Sequence, residues 1–507
     1  MAFAITQTCC SDATCVSVCP VNCIHPTPGE RAFGSTEMLY IDPKACIDCG
    51  ACADACPVDA VLPVDRLPDG QREYARINAD HFGRDLPGEA GTPARSGPNF
   101  HDWGEPSFDR VLPPDFGPLR VAIVGTGPAG LYAARDLLLH TRAEVTLVDR
   151  LPAAGGLVRY GVAPDHPATK KVGESFARFL THPRARTYLD LEVGTDVTAE
   201  ELAAHHDAVI YAVGAATDRR LGIPGEDRPG SLSATTFVAW YNAHPEVAPD
   251  AVDLSCERIV VVGNGNVALD VARLLVRDPG TLAGTGIADH ALAELRRSKV
   301  REVVLLGRRG PEHAAYTGPE VLALRHLDDV DLLVDDHDPR IGAAIDAAGA
   351  REKAGALRGL AREPVDWSLP PGTSGRRRIV FRFLSAPVEV NGGARTRAVR
   401  VTGGTGELEI PAGRVLRAVG YRGVAPAGLP FDEATGTVPH RAGRVTGRPG
   451  TYVVGWIKRG PSGGIGANRV CAAETVGSLL ADAVAGALPA PAGGPKAFRR
   501  LVRRRRR

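Results

Sequence analysis

The sequence predicts a chain of mixed class, a small α+β cysteine-rich domain followed by tandem α/β domains of the Rossmann-like kind. Three observations carry this expectation. Nine of the eleven cysteines lie within the first 56 residues. Two stretches, "RVAIVGTGPAG" and "RIVVVGNGNVALDVA", each read as a β-branched strand, a glycine turn and the start of an apolar helix. Between the cysteines and the first of these, from about Leu86 to Pro118, Pro and Gly accumulate around "PGEAGTPARSGPN", which is linker composition. A chain of 507 residues also exceeds one ordinary core and fits roughly three domains.

The cysteines come first in the chain and are the most informative. "CIDCGACADACP" has the spacing C-x2-C-x2-C-x3-C-P through Cys46, Cys49, Cys52, Cys56 and Pro57. The same template laid over "CCSDATCVSVCP" registers Cys9, Cys15, Cys19 and Pro20 and leaves Asp12 in the second ligand slot. Clustered cysteines in a large chain without a secretory leader favour metal over disulfides. In this spacing three thiolates hold one iron–sulfur cluster and the fourth reaches to another. The expected sets are therefore Cys46, Cys49, Cys52 and Cys19 for a [4Fe-4S] cluster, and Cys9, Cys15 and Cys56 for a second. A zinc tetrahedron would leave three or more thiolates unexplained.

At Asp12 a hard carboxylate replaces a soft thiolate and binds iron less firmly, so the second cluster is expected to be [3Fe-4S]. The alternative is an Asp12-ligated [4Fe-4S] cluster that sheds iron on oxidation. Cys10 and Cys23 lack template spacing and read as buried or spectator thiols. "EMLYIDPKAC" supplies a short strand, and Tyr74 to Phe82 a short helix. Over roughly residues 1–85 the segment resembles bacterial two-cluster ferredoxins, and Asp12 makes it similar to the seven-iron kind.

From Leu119 the texture changes. Gly125 is expected to make a tight turn, Gly127 to admit a pyrophosphate and Gly130 to let the helix sit on the sheet, with the helix N-terminus facing phosphate. Asp149 ends the next strand, where an acceptor for a ribose hydroxyl is due. Spacing alone does not separate FAD from NAD at this loop. The second loop carries Gly263, Gly265 and Ala268, and after the following strand "LLGRRG" presents Arg308 and Arg309, two guanidinium groups suited to a 2′-phosphate and hence to NADP(H). The stretch from about Asp336 to Arg377 is poorly patterned.

"GTGPAGLYAAR", "GGLVRYGVAPDHPATKKV", "GNGNVALDVARLL", "GRRGPEHAAYTGPE" and "GWIKRGPSGGIGAN" occur in one order over about 118–485. Together they resemble the adrenodoxin-reductase type of ferredoxin–NADP⁺ reductase. The resemblance implies FAD at the first loop, contacted by Ala129, Asp149, Leu157 and Val193. It implies a late return of the chain, over 420–490, that brings Trp456, Gly463, Gly464 and Ile465 over the isoalloxazine. It assigns Asn264, Gly265, Asn266, Val267 and Glu320 to the dinucleotide. His166 in "PDHP" is the candidate for proton management, with Glu320 and Asp270 as partners, because its pKa lies near neutrality.

The whole then reads as an α+β two-cluster ferredoxin domain (1–85), a linker (86–117), and tandem α/β Rossmann-like FAD (118–215 and 420–490) and NADP(H) (216–419) domains. The implied activity is NADPH:ferredoxin oxidoreduction, with electrons passing to the fused clusters and to an external ferredoxin or haem monooxygenase. A second reading is an electron-input subunit resembling the small subunit of glutamate synthase. Disulfide reduction is not expected, since Cys256 and Cys471 stand alone.

No run of 18 apolar residues is present, so no membrane span is expected, and the absence of a basic-then-apolar start argues for a cytoplasmic protein. The net charge of +1 conceals a strongly basic end, "KAFRRLVRRRRR", after a mildly acidic body. Residues 491–507 read as a disordered, solvated tail, and nucleic acid is not expected as a partner.

Overall fold

The computed structural model describes residues 2–82, 111–349, 352–371, 375–404 and 406–506. Most of the Pro/Gly-rich linker, Trp103 and Phe108 included, lies outside the described residues. The chain forms two compact units, one of residues 1–159, 168–217 and 422–507, the other of 160–167 and 218–421.

The cysteine-rich part of the first unit contains β1 (Phe3–Ile5), α1 (Thr14–Val18), β2 (Ile24–His25), β3 (Tyr40–Ile41), α2 (Ala51–Ala55), β4 (Val61–Pro63) and α3 (Glu73–Phe82). β1 pairs antiparallel with β4, and β2 with β3. The two cysteine runs fold alike. α1 follows a left-handed Ala13 and α2 a left-handed Gly50, and each ends on an extended cysteine, Cys19 or Cys56, before a proline that cannot continue the helix. Buried Asn78 ties α3 to the strands: its Oδ1 accepts from the amides of Ile5 (3.1 Å) and Ile41 (2.9 Å), and its Nδ2 donates to the carbonyls of Ile5 and Tyr74 (both 2.8 Å). All four hydrogen-bonding positions of the amide are used, which is what a buried amide requires.

The larger part of this unit is built on β5 (Arg120–Val124), α4 (Pro128–His140), β6 (Glu144–Val148), β7 (Ala185–Tyr188) and β8 (Ala208–Tyr211). Its seven-stranded sheet runs His440–Arg441, Arg444–Val445, Thr451–Val453, β8, β5, β6, β7. The last five strands are parallel and the first two joins antiparallel. The central strands β5 and β8 are apolar and buried almost throughout, as strands covered on both faces must be.

The second unit has an all-parallel sheet in the order Ser231–Ser233, Arg414–Arg417, Arg258–Val262, Glu302–Leu306, Arg377–Arg382, Val330–Asp335, Ala361–Glu363. An antiparallel sheet of Ser385–Gly392, Thr396–Gly403 and Gly406–Pro411 follows. The poorly patterned stretch contributes a helix, Pro339–Ala347, and the edge strand Ala361–Glu363.

Two sequence expectations are corrected. Residues 160–167 belong to the second unit, not to the domain spanning 118–215: Asp165 pairs with Arg273 and Arg277, and Asn242 Nδ2 donates to the Val162 carbonyl at 3.1 Å. The basic end is not a disordered tail. Pro495–Arg505 is a helix whose Phe498, Leu501 and Val502 are buried against the apolar core that includes Val124, Val148 and Tyr211. The spacing i, i+3, i+4 makes an apolar stripe that the surrounding arginines obscure. Proline opens the helix and the arginines of its last turn complement the dipole. Among the described residues no helix is long and apolar enough to cross a membrane.

Candidate functional site

The fold gathers Cys19 of the first run with Cys46, Cys49 and Cys52 of the second around one small pocket, which Phe3, Cys23 and Ile47 also line. Cys23, which has no template position, lies with its Sγ 3.4 Å from that of Cys19. Hydrogen bonding with Cys23 holds Cys19 down at about 5 and Cys46 at about 6, while Cys23 itself is pushed far up. Cys52 is pushed up to about 12 by burial and by the charge of the other cysteines. Converging thiolates that repel one another are a donor set suited to a cationic iron core.

Cys9, Cys15 and Cys56 form a second neighbourhood with Asp12 and Cys10. Burial raises each of these four thiols, and neighbouring charges add to it: Asp12 at Cys10, Cys15 and Cys56, and Cys56 at Cys9. Asp12 is engaged locally: Oδ1 accepts from the Thr14 amide at 3.2 Å, and Oδ2 from the Thr14 hydroxyl.

In the first glycine loop a Cβ on Gly125, whose φ is +105°, would lie 2.4 Å from the Ala212 carbonyl oxygen. One on Gly130 would lie 2.1 Å from the oxygen of Gly125. Gly127 precedes α4 and faces Gly156, leaving bare backbone where a side chain would stand. Such a cradle fits a pyrophosphate at a helix N-terminus. Asp149 Oδ2 accepts from the Thr126 amide at 2.8 Å and hydroxyl at 2.5 Å, and Oδ1 from the Leu151 amide at 3.0 Å. Each oxygen keeps acceptor capacity. Ala129 is buried in α4, Leu157 is exposed and Val193 bridges to Val197. Trp456 opens a short helix, and its indole donates to the carbonyls of Ser462 (3.1 Å) and Gly463 (3.3 Å); Gly463 and Gly464 are exposed and Ile465 half-buried.

The second loop repeats this construction. Gly263 has φ +123°, and a Cβ there would meet the Ala418 oxygen at 2.3 Å. Gly265 precedes the helix Asn266–Val276. Asn264 Oδ1 accepts from the Ala315 amide at 3.2 Å, and Asn266 Oδ1 from the Thr317 amide at 2.8 Å, so both asparagines brace the neighbouring loop. Val267 is partly buried against the core, and Arg308 and Arg309 are exposed just beyond the strand Glu302–Leu306.

His166, Asp270 and Glu320 converge, with one candidate ligand atom from each within 4.8 Å of the others. The occupant of this cluster is a side chain. Arg273, which the sequence reading missed, is only 4% exposed and reaches Asp165 (2.7 Å), Asp270 (2.6 Å) and Glu320 (3.4 Å). Asp165 was missed too, although it adjoins His166. Burial disfavours the His166 cation, but its hydrogen bond to Asp270 carries the pKa above the ordinary value. Asp270 is depressed because Arg273 and His166 outweigh its burial, and Glu320 is raised by burial and by the charge of Asp270.

Comparison with known proteins places these sites in context. Residues 119–309 match the pyridine nucleotide-disulphide oxidoreductase family, and residues 39–62 the 4Fe-4S binding domain. The chain is 47% identical to a probable ferredoxin/ferredoxin–NADP reductase of Mycobacterium tuberculosis, over 100% of this chain and 88% of that protein. It is 46% identical to NADPH-ferredoxin reductase FprA of the same organism, over 72% of this chain and 84% of that one. The structure of FprA in complex with NADPH superposes with a TM-score of 0.70 at 42% identity, covering 77% of this chain and 90% of the other.

Proposed function

The chain belongs to the ferredoxin–NADP⁺ reductase family, and we infer that it is an NADPH:ferredoxin oxidoreductase, in which electrons pass from NADPH through FAD to ferredoxin. The relatives favour this over an electron-input subunit of the glutamate synthase kind. We further propose that the first 85 residues are a built-in two-cluster electron carrier, and that a haem monooxygenase is an acceptor as suitable as a separate ferredoxin.

Each residue group then has a task. FAD, when bound, supplies the conversion of a two-electron hydride transfer into single electrons that an iron–sulfur centre can take. Gly125, Gly127 and Gly130 hold its pyrophosphate at the N-terminus of α4, and Asp149 accepts from its ribose. Ala129, Leu157 and Val193 would contact the FAD, and Trp456, Gly463, Gly464 and Ile465 would close over its isoalloxazine and keep water from it. Gly263, Asn264, Gly265, Asn266 and Val267 hold the pyrophosphate of NADP(H), with Glu320 beside them. Arg308 and Arg309 clamp the 2′-phosphate. His166 holds or releases a proton at Nε2, and Asp270 and Glu320 set which.

Cys19, Cys46, Cys49 and Cys52 hold a [4Fe-4S] cluster. Cys9, Cys15 and Cys56 hold a [3Fe-4S] cluster; the engagement of the Asp12 carboxylate by Thr14 supports this over an Asp12-ligated [4Fe-4S]. The observation that carries the built-in carrier is the cavity that joins Cys19 to Cys46, Cys49 and Cys52. The test is Cys49→Ser in the full chain. Loss of the four-iron resonance with NADPH-driven flavin bleaching retained is expected; an unchanged resonance contradicts the assignment.

A further inference from the structure

The two cysteine sites differ in what they face. The loop that carries Asp12 abuts the segment next to Gly463–Ile465. The amide of Gly466 donates to the Cys10 carbonyl at 3.0 Å. Arg469, one turn further on, donates to the Asp12 carbonyl at 2.6 Å and to the Thr14 hydroxyl at 3.3 Å. Gly466 is required there by space: a Cβ would stand 2.3 Å from the Ser11 oxygen and 2.4 Å from that of Cys10, both backbone atoms that cannot swing aside. The other cysteine site opens outward, with Cys49 exposed and Ile47 58% exposed. The Lys171–Asp59 pair also joins the cysteine-rich part to the flavin-side domain, but it is exposed on both sides and worth little.

We propose that the Gly466–Cys10 contact, braced by Arg469, is the electron bridge between the flavin-binding domain and the built-in carrier, so that the Cys9/Cys15/Cys56 site is first in line and the Cys46 site is the outlet to external acceptors. The proposal rests on the functional reading above. The balance is simple: NADPH gives up a hydride and becomes NADP⁺, its two electrons cross the contact one at a time, and each site takes one. No covalent bond forms or breaks across the contact, and the proton left on the flavin side goes to solvent. A hydrogen-bonded backbone bridge gives a continuous path between the domains, which is the reason to expect a glycine where any side chain would hold them apart. Arg469 is a positioning residue, and its cation also favours the reduced, more negative state of the adjoining site.

The test is rapid-freeze paramagnetic resonance of the intact, cluster-loaded chain after mixing with NADPH. With Gly466→Ala, flavin bleaching keeps its rate and reduction of the iron sites slows at least tenfold. Arg469→Ala, which removes no packed backbone contact, covers the case in which the glycine variant fails to fold. It is expected to shift the midpoint potential of the Asp12-side centre to more negative values and leave that of the Cys46-side centre in place, with Arg469→Lys restoring most of the shift. Unchanged transfer rates and potentials in the folded variants overturn the proposal, as does a shift confined to the Cys46-side centre. Failure of NADPH to bleach the flavin of the unaltered chain would instead refute the functional reading.

Discussion

Arg273 Nη2 lies 2.5 Å from His166 Nε2 and 2.6 Å from the Asp270 carboxylate, so a buried guanidinium and a carboxylate compete for one imidazole nitrogen. A neutral His166 accepts from Arg273; a protonated one donates to Asp270. The three carboxylates around Arg273 depend on it for their charge. Arg273→Ala is expected to cost about 3–5 kcal/mol in denaturant unfolding, because it strands buried charges, and Arg273→Lys to cost less.

The same cluster sets a pH dependence. Burial pushes the Asp165 pKa up, but the hydrogen bonds and charge of Arg273 outweigh it and leave the group at about 2, below its ordinary 3.8. A depressed carboxyl contributes stability that is complete above the unfolded value and drains as pH falls through the folded one. Unfolding free energy should therefore drop by about 2 kcal/mol between roughly pH 4 and pH 2 on this account. In Asp165→Asn that drop should be absent, as read by unfolding at a series of pH values.

Arg308→Ala and Arg309→Ala each remove a charged donor from the proposed 2′-phosphate clamp. A hydrogen bond to a charged group is worth about 1.5–3 kcal/mol, so KM for NADPH should rise about tenfold to a hundredfold, with little change for NADH. Steady-state kinetics with both nucleotides checks this.

Asp12→Cys restores the fourth thiolate. Iron analysis should find about one more iron per chain, the expected change from a three-iron to a four-iron cluster, and the oxidised three-iron resonance should vanish. Cys23→Ala should keep both clusters, since Cys23 lies outside the ligand template, with its Sγ 3.4 Å from that of Cys19, where its thiol can donate to a ligand thiolate. Its effect belongs on the four-iron midpoint potential, which should become more negative when a donor to sulfur is lost.

Phe498→Ala should destabilise the chain by about 3–5 kcal/mol, the usual cost of emptying a large buried aromatic site. Arg504→Ser, on the exposed face of the same helix, should change unfolding by less than about 0.5 kcal/mol. Thermal unfolding of the two variants separates a packed helix from a solvated tail.

The parts legible in sequence are those where spacing alone dictates geometry. The glycines at 125, 130 and 263 stand where a Cβ would strike backbone, and the two cysteine runs fold into matching turns of helix. Harder to read were partners distant in sequence. Arg273 looks like an ordinary helix residue until Asp165 is brought 2.7 Å away from more than a hundred positions upstream. Gly466 stands in the motif "GWIKRGPSGGIGAN", but its spatial requirement could not be read there, because it comes from Cys10 and Ser11 at the other end of the chain. In the basic C-terminus the sheer number of arginines hid a three-residue apolar stripe, Phe498, Leu501 and Val502.

The most direct measurement of the central claim is an anaerobic titration of the intact chain with NADPH, followed by absorbance for the flavin and by paramagnetic resonance for iron. The account predicts that flavin bleaching is accompanied by reduction of iron centres in the same polypeptide, with no added carrier. Iron centres that stay oxidised while the flavin is fully reduced, yet respond to dithionite, would contradict it.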